Sequence, residues 1–268
     1  MAGSGQGHLG SWPTSSRAMI HAVGSSIRAI WRLLRVLGCV ARGFLIQWVF
    51  FPRWSPAQRQ QAVKDWSSRM LNAMNVRVSL SGEFSPGPVL MVCNHISWLD
   101  ILVCHSQSFS RFVAKGEVHG WPVLGHMAQQ AGTLFIERAS RKDALRVVHD
   151  MAHALSAHDV VTIFPEGTTN NGLELLPFHA NLIQAAIVAQ VPIQPIGLTY
   201  WTITKPRRPS HAPRFHGSDT LISSLWSTLC SDGVEAQLRV GPPDWARGRD
   251  RRQWSNDLRE SVLKLIGS

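Results

Sequence analysis

Residues 88–103, "PVLMVCNHISWLDILV", hold the transition that organises the chain. The apolar run from Val89 to Cys93 has the length and β-branched content of a buried strand. It stops at Asn94 and His95, and after four intervening residues Asp100 opens a second apolar run that reads as a helix from about residue 98. The same alternation continues outward. Strand patterns at 77–82, 110–115, 133–138, 159–166 and 192–200 are separated by helical patterns at 121–132, 141–157 and 179–190. Several of the strands are apolar throughout, as strands covered on both faces must be. The fold class expected is therefore α/β, a largely parallel sheet flanked by helices, with sites collecting at the strand C-termini. From about residue 206 the chain is proline-rich and basic, followed by a helix near 219–230, a strand at 235–241, the basic loop "WARGRDRRQW" and a closing helix.

Upstream, "IRAIWRLLRVLGCVARGFLIQWVFF" at 27–51 is apolar but carries Arg28, Arg32, Arg35 and Arg42. At 100° per residue these four arginines fall within about 80° of one another, leaving the rest of the circumference apolar. The pattern describes a helix lying in a membrane surface; a tilted span or hairpin arm, and a core helix with a basic face, remain open readings. Pro52 ends it. Ser55 and Pro56 then read as the cap and first position of a further helix. The organisation expected is a flexible tail at 1–26, with no compact secretory h-region, a membrane-associating helical segment at 27–75, and an α/β domain at 76–268.

With 268 residues, of which 44% are apolar, the chain can bury a substantial core, which excludes wholesale disorder. A formal charge of +10 favours a polyanionic neighbour, either an anionic membrane surface or nucleic acid. Eleven Trp against one Tyr lean towards a bilayer interface. Cys39, Cys93, Cys104 and Cys230 form no C-x-x-C pair, as expected of a reduced, cytosol-facing protein.

Three stretches could carry chemistry. His95 lies at a strand end with Asp100 five residues on. A carboxylate that accepts the Nδ1 proton fixes the imidazole tautomer and leaves Nε2 free to take a proton from a hydroxyl. On that reading Asp100→Asn favours the wrong tautomer. The structural alternative is a capping box, Ser97-x-x-Asp100. The second stretch, "TIFPEGTTNNG" at 162–172, ends a strand in Pro165, Glu166 and Gly167. Its hydroxyls and amides could hold phosphate oxygens, although an ordinary turn has the same composition. The third, "GTLFIERAS", puts Arg138 at a strand end, where a guanidinium could grip a phosphate.

In order, "NHISWLD", "GTLFIER", "FPEGTT" and "VPIQPI" resemble the four blocks of the glycerolipid acyltransferase family that includes 1-acylglycerol-3-phosphate acyltransferase, and span about residues 87–200. The resemblance implies that His95 is the general base and Asp100 its orienting partner. Lys115, Arg138, Phe164, Pro165, Glu166, Gly167, Thr168 and Thr169 would form the substrate-binding set, with Glu117 near them. It implies no bound cofactor and no metal, acyl-coenzyme A or acyl carrier protein as co-substrate, a membrane lipid acceptor, and residence at the cytoplasmic face of the inner or plasma membrane. Thr169 stands where many members forming phosphatidic acid have Arg, so the resemblance extends to acyltransferases for other lysolipids such as lyso-ornithine lipid. By the physics of acyl transfer, the helix N-terminus beside His95 is expected to supply oxyanion donors.

Other patterns point elsewhere. "GQGHLG" at 5–10 matches a dinucleotide fingerprint but follows no strand. "HDMAH" sets His149 and His153 at i and i+4, as in a zinc helix, but with Asp150 where a metalloprotease needs Glu. A non-catalytic membrane or nucleic-acid binder would use Arg247, Arg249, Arg251 and Arg252, yet no groove-reading motif accompanies them.

Overall fold

The computed structural model describes residues 15–136, 141–217 and 219–267. Helix α1 (Ser15–Val49) and a short 3-10 turn precede α2 (Pro56–Ala73). Then follow β1 (Val76–Ser81), β2 (Val89–Cys93), α3 (Leu99–Gln107), β3 (Arg111–Lys115), α4 (Leu124–Gln130), β4 (Leu134–Ile136), α5 (Arg141–Ser156), β5 (Val160–Ile163) and α6 (Ala180–Ala189). The chain closes with β6 (Ile193–Thr202), α7 (Leu221–Cys230), β7 (Val234–Val240) and α8 (Arg251–Gly267). The strands make one seven-stranded sheet in the order β1-β7-β6-β2-β5-β3-β4, parallel except at β6–β7.

Period-two burial explains why the sheet is covered on both faces. Along β2, Val89, Met91 and Cys93 enter a core with α1, α2, α3 and α7, while Leu90 and Val92 enter another with α5, α6 and α8. β2 lies fully buried between β5 and β6. Its C-terminus therefore opens between the ends of its two neighbours, the crevice geometry expected of a parallel sheet.

The N-terminal region differs from the sequence expectation in two respects. The helix already runs from Ser15, inside the segment read as a flexible tail, and the "GQGHLG" stretch lies outside the described residues. Nor is 27–75 a body with its own core: Ala29 and Val36 of α1 and Met70, Leu71, Ala73 and Met74 of α2 join the core of the sheet. Ser55 and Gln58 form a reciprocal capping box at α2, with Pro56 in the first turn. Gly43 allows α1 to cross close to α2, since a Cβ there would lie 2.4 Å from Trp66 Nε1, and Trp66 donates to the Cys39 carbonyl at 2.9 Å.

The basic face of α1 turns partly inward. Arg28 pairs with Asp232, and Arg32 donates to the carbonyls of Leu229 and Ser231, which end α7 with its partial negative charge. Arg35 and Arg42 remain exposed, and so does a run of large apolar side chains: Ile27, Ile30, Trp31, Leu34, Leu37, Leu45 and Trp48 are each more than half exposed. The helix therefore packs one face on the core, as a core helix would, but carries an exposed apolar stripe that such a helix does not need. Residues Gly24–Arg53 are long and apolar enough to cross a membrane by length and composition.

Candidate active site

The ends of β2, β5 and β6 supply the site. Asn94 fastens the first loop by pairing across the sheet, its amide donating to the Leu198 carbonyl at 2.9 Å while its oxygen accepts the Leu198 N–H at 2.8 Å. This holds His95 at the rim, where its side chain is 18% exposed. Phe164, following β5, stacks on the imidazole with ring centroids 4.0 Å apart and planes 9° from parallel, and Phe112 stacks in turn on Phe164. The ring can therefore move little.

His95 Nδ1 lies 2.8 Å from Asp100 Oδ2. The Asp100 side chain is fully buried and receives three further donors: the Ile96 and Ser97 amides on Oδ2 at 2.7 and 3.0 Å, and the Tyr200 hydroxyl on Oδ1 at 2.6 Å. An ionised carboxylate is acceptor-only with about four lone-pair sites, so this donor set matches the charged form and places the His95 proton on Nδ1. Nε2 then has its lone pair free and no hydrogen bond to any described residue. Burial, followed by the charge of Asp100 and the hydrogen bond to it, pushes the Tyr200 phenol well above its ordinary value, so it remains a donor.

The catalytic and capping readings of Asp100 coincide in part. Asp100 does serve the amides at the start of α3, but Ser97 Oγ accepts from Leu99 N at 3.1 Å rather than from Asp100 N, which bonds the Ser97 carbonyl. No reciprocal box forms. The same bonds narrow the oxyanion expectation, because the amides of Ile96, Ser97, Leu99 and Asp100 have partners inside the loop and are already engaged.

Glu166 also departs from its expected place against the substrate. It is buried, and Oε1 accepts the His95 main-chain N–H at 2.7 Å while Oε2 accepts from Leu176 N at 2.9 Å and from the Asn170 amide. Burial raises its carboxyl above the ordinary value against the pull of these donors. Asn170 N closes the arrangement on the His95 carbonyl at 3.0 Å. Glu166 thus ties the "FPEGTT" loop to the His95 loop and has no free face for an acceptor.

The other expected binding residues divide. Pro165 is buried, its carbonyl receiving His179 N; Gly167 turns at φ 71°; Thr168 is exposed and Thr169 half-buried beside them. Lys115 and Glu117 are exposed at and just beyond the end of β3, which lies between β5 and β4. Arg138 lies outside the described residues. Two residues take parts the sequence did not give them: Asn170, read there only among the loop amides that could hold phosphate, and Tyr200, whose only sequence signal is that it is the single Tyr of the chain, at a strand end.

Beside the site, a cavity of about 640 Å³ opens between α1, α2, α3 and α4. Its walls are mainly apolar, including Leu33, Val36, Trp66, Ile101, Leu102 and Met127. Trp98 and Phe112 also line it, so the cavity wall reaches to within two stacked rings of His95.

The decoys occupy other ground. His149 and His153 are exposed on α5, and among the described residues no three His, Cys, Asp or Glu side chains gather as a metal site. Arg249 of the basic loop is engaged by Asp244 and Asp257 and packs over Trp254.

Residues 75–199 match the family model described as Acyltransferase. A lyso-ornithine lipid O-acyltransferase of Pseudomonas aeruginosa is 34% identical over 90% of this chain and 95% of its own. A 1-acyl-sn-glycerol-3-phosphate acyltransferase of Neisseria meningitidis is 34% identical over 79% and 83%. Among solved structures, the 1-acyl-sn-glycerophosphate acyltransferase of Thermotoga maritima superposes with a TM-score of 0.66 at 17% identity, covering 91% of this chain and 97% of that one, which shows the shared fold.

Proposed function

Because the chain belongs to the glycerolipid acyltransferase family and is a lysolipid acyltransferase, we propose that it works by general-base catalysis at His95, with 1-acylglycerol 3-phosphate as acceptor and an acyl thioester of coenzyme A or acyl carrier protein as donor. The observation that carries this reading is the 2.8 Å contact from His95 Nδ1 to a buried, four-donor Asp100, which leaves Nε2 at the rim as the base. Nε2 takes the proton of the free glycerol hydroxyl as its oxygen forms a bond to the thioester carbonyl carbon. The tetrahedral intermediate collapses, the C–S bond breaks, and the departing thiolate takes the proton from the imidazolium. Asp100 stabilises that imidazolium, and no metal or bound cofactor enters the step.

The acceptor phosphate would be held at the strand ends by the hydroxyls of Thr168 and Thr169, the Lys115 ammonium and, on the sequence reading, Arg138. One long acyl chain would lie in the 640 Å³ cavity, whose apolar lining suits it. The exposed apolar stripe of α1 would seat the enzyme in the cytoplasmic leaflet, where its acceptor already resides.

Thr169 favours a second reading, lyso-ornithine lipid as acceptor, since a hydroxyl there supplies no charge for a phosphate. The test is acyl transfer from labelled acyl-coenzyme A in mixed micelles, offering lysophosphatidic acid and lyso-ornithine lipid to wild type, His95→Ala and Thr169→Arg. Lysophosphatidic acid should react faster, His95→Ala should be inert though folded, and Thr169→Arg should raise the preference for the phosphate. Turnover by His95→Ala would overturn the mechanism. Faster reaction of lyso-ornithine lipid would transfer the assignment to the second acceptor.

A further inference from the structure

The cavity beside the site is not uniformly apolar. Its charged lining residues Arg42, Asp65 and Arg69 are exposed and so belong to its rim. Two uncharged polar lining residues are buried: Gln47 of α1, 8% exposed, and His105 of α3, 6% exposed. Each keeps a polar atom without a hydrogen-bond partner, Gln47 Oε1 and His105 Nδ1. The Gln47 amide nitrogen faces the Met127 carbonyl at 3.4 Å, which sets the orientation of the amide and leaves its oxygen unmatched. His105 is packed against the rings of Phe109 and Phe112, and burial lowers its imidazole to about 4, so the ring is neutral near pH 7 and can accept or donate. A lipid chain of plain hydrocarbon gives neither atom a partner, and Leu or Phe at these positions would accommodate such a chain without leaving a polar atom unpaired.

The place of His105 says which part of a chain it meets. Trp98, Ile101, Leu102 and His105 recur at helical spacing on α3 and all line the cavity. Trp98 lies at the end beside the His95 loop and His105 in the last turn, so the two are separated by roughly 10 Å along the axis. A chain running along this face passes His105 well beyond the carbons next to its carbonyl.

We propose that this cavity selects a long acyl chain carrying a hydroxyl group in its body, with His105 as the principal hydrogen-bonding partner and Gln47 Oε1 as a second acceptor. The inference rests on the acyl-transfer reading and on that chain lying in the cavity. The hydroxylated chain could belong to the thioester donor or to the lysolipid acceptor; the chemistry is the same.

The test is a competition in mixed micelles between a plain acyl-coenzyme A and its mid-chain hydroxy counterpart, and in a second arm between plain and mid-chain hydroxy lysolipids. Wild type should favour the hydroxylated member of one pair by roughly three- to tenfold in kcat/KM, the scale of one net hydrogen bond, and the arm that shows the preference identifies the chain. His105→Phe should bring that ratio to about one, and Gln47→Leu should lower it. Because His105→Phe removes a buried unpaired nitrogen, its Tm should equal or exceed that of wild type, so a lost preference would not reflect a damaged fold. Displacement of a fluorescent fatty acid by free hydroxylated and plain fatty acids reads the same selectivity without turnover. Equal reaction and equal displacement by both chains in wild type, or a preference undiminished in both variants, would overturn the proposal while leaving the acyltransferase reading intact. No transfer of any chain would remove both.

Discussion

Asp100→Asn distinguishes two accounts of the His95–Asp100 pair. The usual argument is that an amide presents its nitrogen to the imidazole, stabilises the wrong tautomer, and costs about 10⁴-fold in kcat, as in a serine protease. The surroundings of Asp100 argue otherwise. Oδ2 accepts from two main-chain amides fixed by the loop, Ile96 N at 2.7 Å and Ser97 N at 3.0 Å, as well as from His95 at 2.8 Å. An amide nitrogen turned that way would confront donors that cannot rotate. Turned towards Tyr200, it meets a hydroxyl 2.6 Å from Oδ1 that can rotate and accept. The Asn oxygen therefore takes the place of Oδ2, His95 keeps its proton on Nδ1, and Nε2 remains the base. What is lost is the negative charge beside the imidazolium that forms as the hydroxyl is deprotonated. Hydrogen bonds to charged groups are worth about 1.5–3 kcal/mol against about 1 kcal/mol for neutral ones. Allowing also for the loss of attraction across a partly buried contact, the fall in kcat should be roughly 10- to 100-fold with KM little changed. The assay is steady-state acyl transfer in mixed micelles with saturating donor and acceptor, alongside thermal unfolding to show that the variant is folded. A fall near ~10⁴-fold in a folded protein would mean that the amide had flipped, and that the Ile96 and Ser97 amides do not govern its orientation. A change below about twofold would refute any part for Asp100 in the chemical step.

Tyr200→Phe removes one of the four donors and leaves a buried carboxylate oxygen unmatched. It should lower kcat roughly three- to tenfold without raising KM, and lower Tm by about 2–6 °C; an increase confined to KM would mean that Tyr200 touches substrate instead of positioning Asp100. His105 is held neutral by burial, at about 4 against an ordinary 6.5, so the unfolded chain binds the extra proton in that window and stability should fall as pH drops from 6.5 to 4. Chemical denaturation of His105→Phe should show this slope reduced by roughly 3 kcal/mol across the window, and an unchanged slope would place the titration elsewhere. Replacing exposed Trp31, Leu34 and Trp48 together by Ser should weaken sedimentation with anionic liposomes several-fold while preserving Tm, whereas undiminished binding would show that α1 is not the membrane-facing element.

Much of this molecule was legible in the sequence, and the reason is locality. Strand and helix periods are properties of short segments, so the α/β class and the strand-end position of His95 followed from runs such as Val89–Cys93. His95 and Asp100 are five residues apart across a single loop and the first turn of α3, and that loop alone brings them together. The Ser55 cap with Pro56 behind it was readable for the same reason. What local pattern could not contain is the order of strands in the sheet. Because β2 lies between β5 and β6, Glu166 reaches the His95 amide from 71 residues away and Tyr200 reaches Asp100 from 100 residues away. Those neighbours turned Glu166 from an expected substrate contact into an internal tie, and made the lone Tyr part of the site. Tertiary packing likewise decided the face of α1: its arginines follow a helical period in the sequence, but only contact with Asp232 and the end of α7 determined that part of that face turns inward and leaves the apolar stripe outside.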